Sequence, residues 1–222
     1  MKSQAATILP FHRPRRERPR RPSYDGPRYF TEKQVKLIRR TARDAAKLGK
    51  VKDARNWMLI DLLTSSGLRE AEAADVRVGD LKLGYDEASI FVRNGKGGRS
   101  RMVQIPASLK THLKSFQRWK TERGEPMSED DPLFFGQRGQ WTAAAVSQAV
   151  RRVLESCGLY ERGRCVHALR HSYAVALYRR ERDLRCVQKQ LGHASIQTTQ
   201  IYADCLPEDI REQVRGLWGG TS

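Results

Sequence analysis

At 222 residues the chain can hold one packed domain with a tail, or two very small domains. Hydrophobic residues make up 39%, enough for one real core, and the 30% of charged residues suits a soluble protein. Forty-two Lys and Arg stand against 25 Asp and Glu, a net charge of +17 that favours a polyanionic partner, most commonly nucleic acid. No apolar run approaches the length of a membrane span, and the N-terminus lacks the apolar segment of a signal peptide. Cys157, Cys165, Cys186 and Cys205 form no CxxC pair and no zinc-like spacing with the histidines. The expectation is a cytoplasmic, nucleoid-associated protein with reduced, mostly buried thiols.

Taken in chain order, residues 1–27 carry Arg13, Arg15, Arg16, Arg18, Arg20 and Arg21 among prolines, with little to bury. This reads as a disordered basic arm able to lie along phosphates. Order is expected from Thr31, a helix cap with Gln34 three residues on and Val35, Leu37 and Ile38 following. A second helix over 54–65 is too densely apolar for a surface position, and it stops at Ser66-Gly67. "LREAEAADV" then starts one or two further helical turns.

Between Ser89 and Ile105 two β-leaning segments, "ASIFVR" and "SRMVQIP", flank the glycine-rich "NGKGG". This predicts a hairpin with Lys96 at its tip. Beyond Pro106 the texture is helical, over about 107–121, 142–156, 168–180, 183–190 and 208–217, with a short extended piece at 132–135. The fold class is therefore α+β, mostly α, with one small antiparallel sheet.

Several cationic and hydrogen-bonding residues punctuate these elements. Arg69 follows "TSSGL", Lys96 sits in the hairpin loop, and His167 and Arg170 share one face of "HALRHSYA". His193 lies in "LGHASIQTTQIY", nine residues before Tyr202. Metal-free phosphoryl transfer wants such a set. Arginine forks match the equatorial oxygens of a phosphorane, and a tyrosine with a free pKa of about 10 needs a base and a cationic field to attack. A lysine among cations can protonate the leaving oxygen. His171 and Glu70 are not required by this chemistry and read as structural.

The order and spacing resemble the tyrosine recombinase (phage integrase) family. The residues that carry the likeness are "SSGLREAE" with Arg69 and Glu72, "NGKGG" with Lys96, "HALRH" with His167 and Arg170, "LGH" with His193, and "TTQIYAD" with Tyr202. The resemblance covers about residues 28–218. It implies the catalytic-domain fold of that family over 28–222, in a short form lacking the N-terminal core-binding domain.

By that resemblance, Tyr202 attacks the scissile phosphate to form a 3′-phosphotyrosyl link and free a 5′-hydroxyl. Arg69 and Arg170 clamp non-bridging oxygens, Lys96 is the general acid, His167 is an acid/base, and His193 bonds a phosphate oxygen. Glu72 orients the cluster. The resemblance also implies that no metal, ATP or other cofactor is needed. The partners would be a double-stranded DNA recombination site and three further copies of the chain, as a homo-tetramer on two sites and a monomer or dimer off DNA. The outcome would be integration, excision or inversion.

For base contacts the helix over 142–156 offers Gln148, Arg151 and Arg152. After Tyr202, Ile210, Val214, Leu217 and Trp218 form one apolar stripe, which docks either on its own domain or on a neighbour. A type IB topoisomerase and a DNA-binding regulator that no longer cuts are the alternatives.

Overall fold

The structure is a computed structural model that describes residues 29–93, 100–137, 139–193 and 199. The first helix, α1 (Glu32–Ala46), begins as its sequence predicts. The Thr31 hydroxyl accepts the Gln34 backbone N–H, and the Gln34 side chain accepts the Thr31 N–H in return. Just before it, the chain is fastened to the domain at two points. The Phe30 N–H donates to Ser172 Oγ at 2.8 Å, and Arg164 donates to the Tyr29 carbonyl at 2.7 Å while lying over the Phe30 ring.

The second helix, α2 (Val51–Ser66), is the centre of the core. Met58, Leu59, Ile60, Leu62 and Leu63 point in several directions around it, yet none is more than 1% exposed. Such a helix must be surrounded, and α1, α4 (Ala107–Glu122), α5 (Ala143–Ser156) and α6 (Val166–Glu181) all pack on it. Each of those side chains adds roughly 1.5–3 kcal/mol by leaving water. A short helix, α3 (Glu70–Asp75), follows α2 and packs on α5. The last described helix, α7 (Leu184–Leu191), is capped by the Asp183 carboxylate and packs on α6.

The expected hairpin is present as β2 (Ser89–Val92) and β3 (Arg101–Gln104), antiparallel with Ile90 opposite Val103. Its predicted tip, 94–99 with Lys96, lies outside the described residues. A two-residue strand, β1 (Leu81–Lys82), pairs with β2 and makes the sheet three-stranded. Two residues are too few to show a period of two, so sequence patterning did not mark it. The extended piece expected at 132–135 is partly realised. Phe135 and Gly136 form β4, which pairs with β5 (Gly139–Gln140).

Several boundaries also move. α2 starts at Val51 rather than 54, directly after the extended Lys50, and α6 at Val166 rather than 168. The helix predicted over 208–217 and the basic arm over 1–27 fall outside the described residues. Cys157, Cys165 and Cys186 are free and half-buried, less enclosed than expected, and Cys205 is not among the described residues.

Asp61 is one of several charged residues buried among the described residues. Asp61 of α2 accepts from Arg39 at 2.6 Å, from the ring Nδ1 of His112 at 2.6 Å and from Ser65 at 3.2 Å. The Asp61 side chain is 4% exposed, so its hydration has been replaced by these partners. Trp57 stacks on His112 and lies beneath Arg39. Asp61→Ala strands Arg39 and should lower stability by about 3 kcal/mol, seen as an earlier urea midpoint at unchanged slope.

Candidate active site

Two chain turns and one helix bring the cationic residues together. Gly67 ends α2 in the left-handed conformation with φ 66°, and the chain then reverses to place Arg69 immediately before α3. No other residue fits there. A Cβ on Gly67 would lie 2.4 Å from the Tyr173 ring, besides the strain of positive φ. Gly192 does the same at the end of α7, with φ 67°, and delivers His193. The third contribution is α6, whose helical spacing puts His167 and Arg170 on one side with His171 beside them.

Arg170 is 3% exposed and is held by backbone. Its two terminal nitrogens donate to the Gly67 carbonyl at 2.7 Å and to the Leu191 carbonyl at 2.8 Å. These carbonyls sit at the C-termini of α2 and α7, where the last turn leaves carbonyls without helical partners and the helix dipole is negative. One guanidinium thus joins α6 to the ends of two other helices.

Glu72, 3% exposed along its side chain, is the anion at the centre of the cluster. Its Oε1 accepts from Arg69 at 2.6 Å and from Arg101 at 2.9 Å. Its Oε2 accepts from a second Arg101 nitrogen at 2.9 Å and from the Arg69 backbone N–H at 2.9 Å, with Arg170 at 3.8 Å. Burial alone would raise the Glu72 pKa. The Arg101 hydrogen bonds, the Arg69 backbone N–H and the charges of both arginines outweigh it and bring the pKa down to about 2.

The histidines respond in the opposite sense to the same field. Desolvation, then the charges of Arg170 and Arg69, lower the His167 pKa. Desolvation, Arg170, Arg69, His171 and Arg101 lower His193 to about 4. Both rings are therefore neutral at pH 7. His193 Nδ1 lies 3.0 Å from Thr199 Oγ1, and its carbonyl accepts from the Gln188 side chain. His171 is edge-on to His167 at 5.1 Å between ring centroids, so it belongs to the cluster although its sequence context gave it no role.

Of the sequence-selected residues, Arg69, Glu72, His167, Arg170 and His193 converge on this site. Lys96 and Tyr202 lie outside the described residues, as do Arg13, Arg15, Arg16 and Arg18. Gln148 and Arg151 are exposed on α5, and Arg152 is half-buried. Arg151 is engaged locally, by Glu155 at 2.7 Å and the Tyr160 ring at 4.6 Å. α5 is tied to the site through Ser147, which donates to Glu70 in the first turn of α3. Sequence reasoning missed Arg101. The one signal was an arginine at an inward-facing position of a strand that otherwise alternates.

The phage integrase family model matches residues 28–208. The chain belongs to the phage integrase family. Its similarity to individual members is spread over the same region. It is 32% identical over 191 residues to the tyrosine recombinase XerA of Pyrococcus furiosus, covering 85% of this chain and 61% of that protein. It is 34% identical over 167 residues to the tyrosine recombinase XerH of Helicobacter pylori, covering 74% and 45%. This family member therefore spans less than two thirds of the length of either relative.

In three dimensions it is similar to the XerH site-specific recombinase bound to palindromic difH substrate in a post-cleavage complex. The TM-score is 0.70 at 28% identity, over 86% of this chain and 53% of that one. A crystal structure of XerA recombinase gives a TM-score of 0.70 at 26% identity, over 87% and 66%. The fold of this family member is the tyrosine-recombinase catalytic-domain fold, mostly α with a small antiparallel sheet.

The titrating groups make acid stability a test of the cluster. A histidine whose folded pKa lies below 6.5 leaves the unfolded chain binding more protons, so stability falls as pH drops from 6.5 toward about 4. The depressed Glu72 adds stability that is complete above pH 4.5 and is lost as pH falls toward about 2, on the order of 3 kcal/mol. Glu72→Gln should lower stability at pH 7 and make the loss below pH 4.5 shallower by the part Glu72 carries, measured as urea midpoints across pH.

Proposed function

We propose that this chain is a site-specific DNA recombinase of integrase or invertase type, acting through a 3′-phosphotyrosyl intermediate at Tyr202. The observation that carries the reading is the convergence of Arg69 and Arg170 on one carboxylate, with neutral His167 and His193 in their field. Such a site presents fixed positive charge to a phosphodiester and keeps two imidazoles neutral beside it.

In the proposed step, the Tyr202 oxygen forms a bond to phosphorus as the 5′-oxygen bond breaks. Arg69 and Arg170 stabilise the non-bridging oxygens, His193 donates a hydrogen bond there, and His167 takes the phenolic proton. Lys96 gives a proton to the departing 5′-oxygen. Attack of another strand's 5′-hydroxyl on the phosphotyrosine reverses these roles, so the bond energy is conserved. The neutral state of His167 at pH 7 supports its use as a base.

The DNA partner is a double-stranded recombination site. The net charge of +17 and the exposed Gln148 and Arg151 on a helix joined to the active site support it, with Arg152 beside them. Related XerH structures include pre-cleavage and post-cleavage complexes with difH substrate. The expected arrangement is a homo-tetramer on two sites and a monomer or dimer off DNA. Residues 28–222 would form the catalytic domain, with 1–27, including Arg13, Arg15, Arg16 and Arg18, as a basic arm along phosphates.

The test uses duplexes recovered from a random-centre DNA pool by retention on the full chain, then nicked beside the candidate cleavage position. Wild-type protein should form a covalent protein–DNA band, and Tyr202→Phe should bind equally but form none. A wild type that binds and never forms the band would instead favour a non-cutting regulator. Deleting residues 2–22 should weaken binding and flatten its dependence on salt.

A further inference from the structure

Arg101 opens β3, and nothing in the proposed reaction uses it. Its side chain is 11% exposed, and each of its nitrogens has a protein partner. The two terminal nitrogens meet the two Glu72 oxygens end-on, both at 2.9 Å, and Nε donates to the Gln190 carbonyl at 3.3 Å. Three of its five N–H donors are thus directed at protein oxygens, two of them at the one carboxylate.

Its neighbourhood is built to hold it there. A Cβ at Gly192 would come within 2.7 Å of Arg101 Cδ, so the glycine that turns the chain toward His193 also makes room for this arginine. Beside it, the Gln190 side chain accepts the Gln104 N–H at 3.1 Å and donates to the Gln104 carbonyl at 2.7 Å. That pair pins β3 to the end of α7, beside Arg101.

Arg69 is differently placed. It spends one terminal nitrogen on Glu72 and keeps 24% of its side chain exposed. We propose that Arg101 is a positioning residue that takes up both Glu72 oxygens from the sheet side, so that Arg69, bonded to Glu72 through one terminal nitrogen, and Arg170, 3.8 Å from it, are not drawn further onto the carboxylate and away from the scissile phosphate. A carboxylate and a phosphate compete for the same cations. Without Arg101, the Glu72 charge falls on Arg69, already 2.6 Å away, and on Arg170 at 3.8 Å. The fork matters as well as the charge, because one point charge cannot satisfy both carboxylate oxygens in plane. The inference rests on the active-site reading above.

The experiment is single-turnover cleavage by the full chain on the selected nicked duplex. It is run with an ordinary scissile phosphate and with a methylphosphonate, in which a neutral methyl replaces one non-bridging oxygen. Arg101→Met should slow cleavage of the phosphate by about a hundredfold, the scale of a small misplacement of a catalytic group. On the methylphosphonate the same variant should lose only about threefold, because less charge remains for Arg69 and Arg170 to stabilise. Arg101→Lys, which keeps the charge and guards against misfolding of the first variant, should show the same selective loss at roughly tenfold on the phosphate.

A merely structural role would slow both substrates alike, and that result overturns the proposal. Cleavage of the phosphate within about threefold of wild type by both variants overturns it too. If the wild type itself forms no adduct, the recombinase reading fails and takes this inference with it, a result distinct from a defect confined to the variants.

Discussion

A carboxylate taken out of water loses a hydration shell that only cations and N–H donors can replace, and at Glu72 four such donors do so from two arginines. The arginines come from different parts of the chain. Arg69 precedes α3, and Arg101 opens β3, while Arg170, from the middle of α6, lies just beyond at 3.8 Å. Removing the carboxylate would leave these like charges crowded together with nothing between them. The same carboxylate therefore makes the cationic cluster possible and binds the sheet to the helices that carry it.

The helix ends complete that arrangement. Arg170 is buried, and it is tolerated because the carbonyls at the ends of α2 and α7 take its N–H groups. Both helices stop at glycines with positive φ, and at both a Cβ would collide with a residue of the cluster or its support. Position and chemistry thus share the same turns. Burial, together with the charge concentrated there, also lowers the pKa of both histidines, that of His193 to about 4. Fixed cations and neutral imidazoles thus stand side by side, the combination that separates electrostatic stabilisation from proton transfer.

Much of this was legible in the sequence. The Thr31–Gln34 cap, the dense apolar run of α2 and the hairpin segments each follow from local rules, because capping, periodicity and β-branched runs are properties of neighbouring residues. Arg69, Glu72, His167, Arg170 and His193 were recognisable from order and spacing, and they do meet. β1 was not, since its two residues become a strand only by pairing with β2. The half-exposure of the cysteines was equally invisible, because burial is decided by what packs on a residue from elsewhere.

The amino-acid order by itself determined which helices form, where glycines end them and which cations fall into the family's pattern. Only the tertiary structure decided that Arg101 shares Glu72 with Arg69, that Arg170 is held by two carbonyls, and that His171 sits against His167. The reason is physical. A helix cap acts over three or four residues, whereas the partner of a buried charge is whichever donor the fold brings within about 3 Å, and Arg101 lies 29 residues along the chain from Glu72.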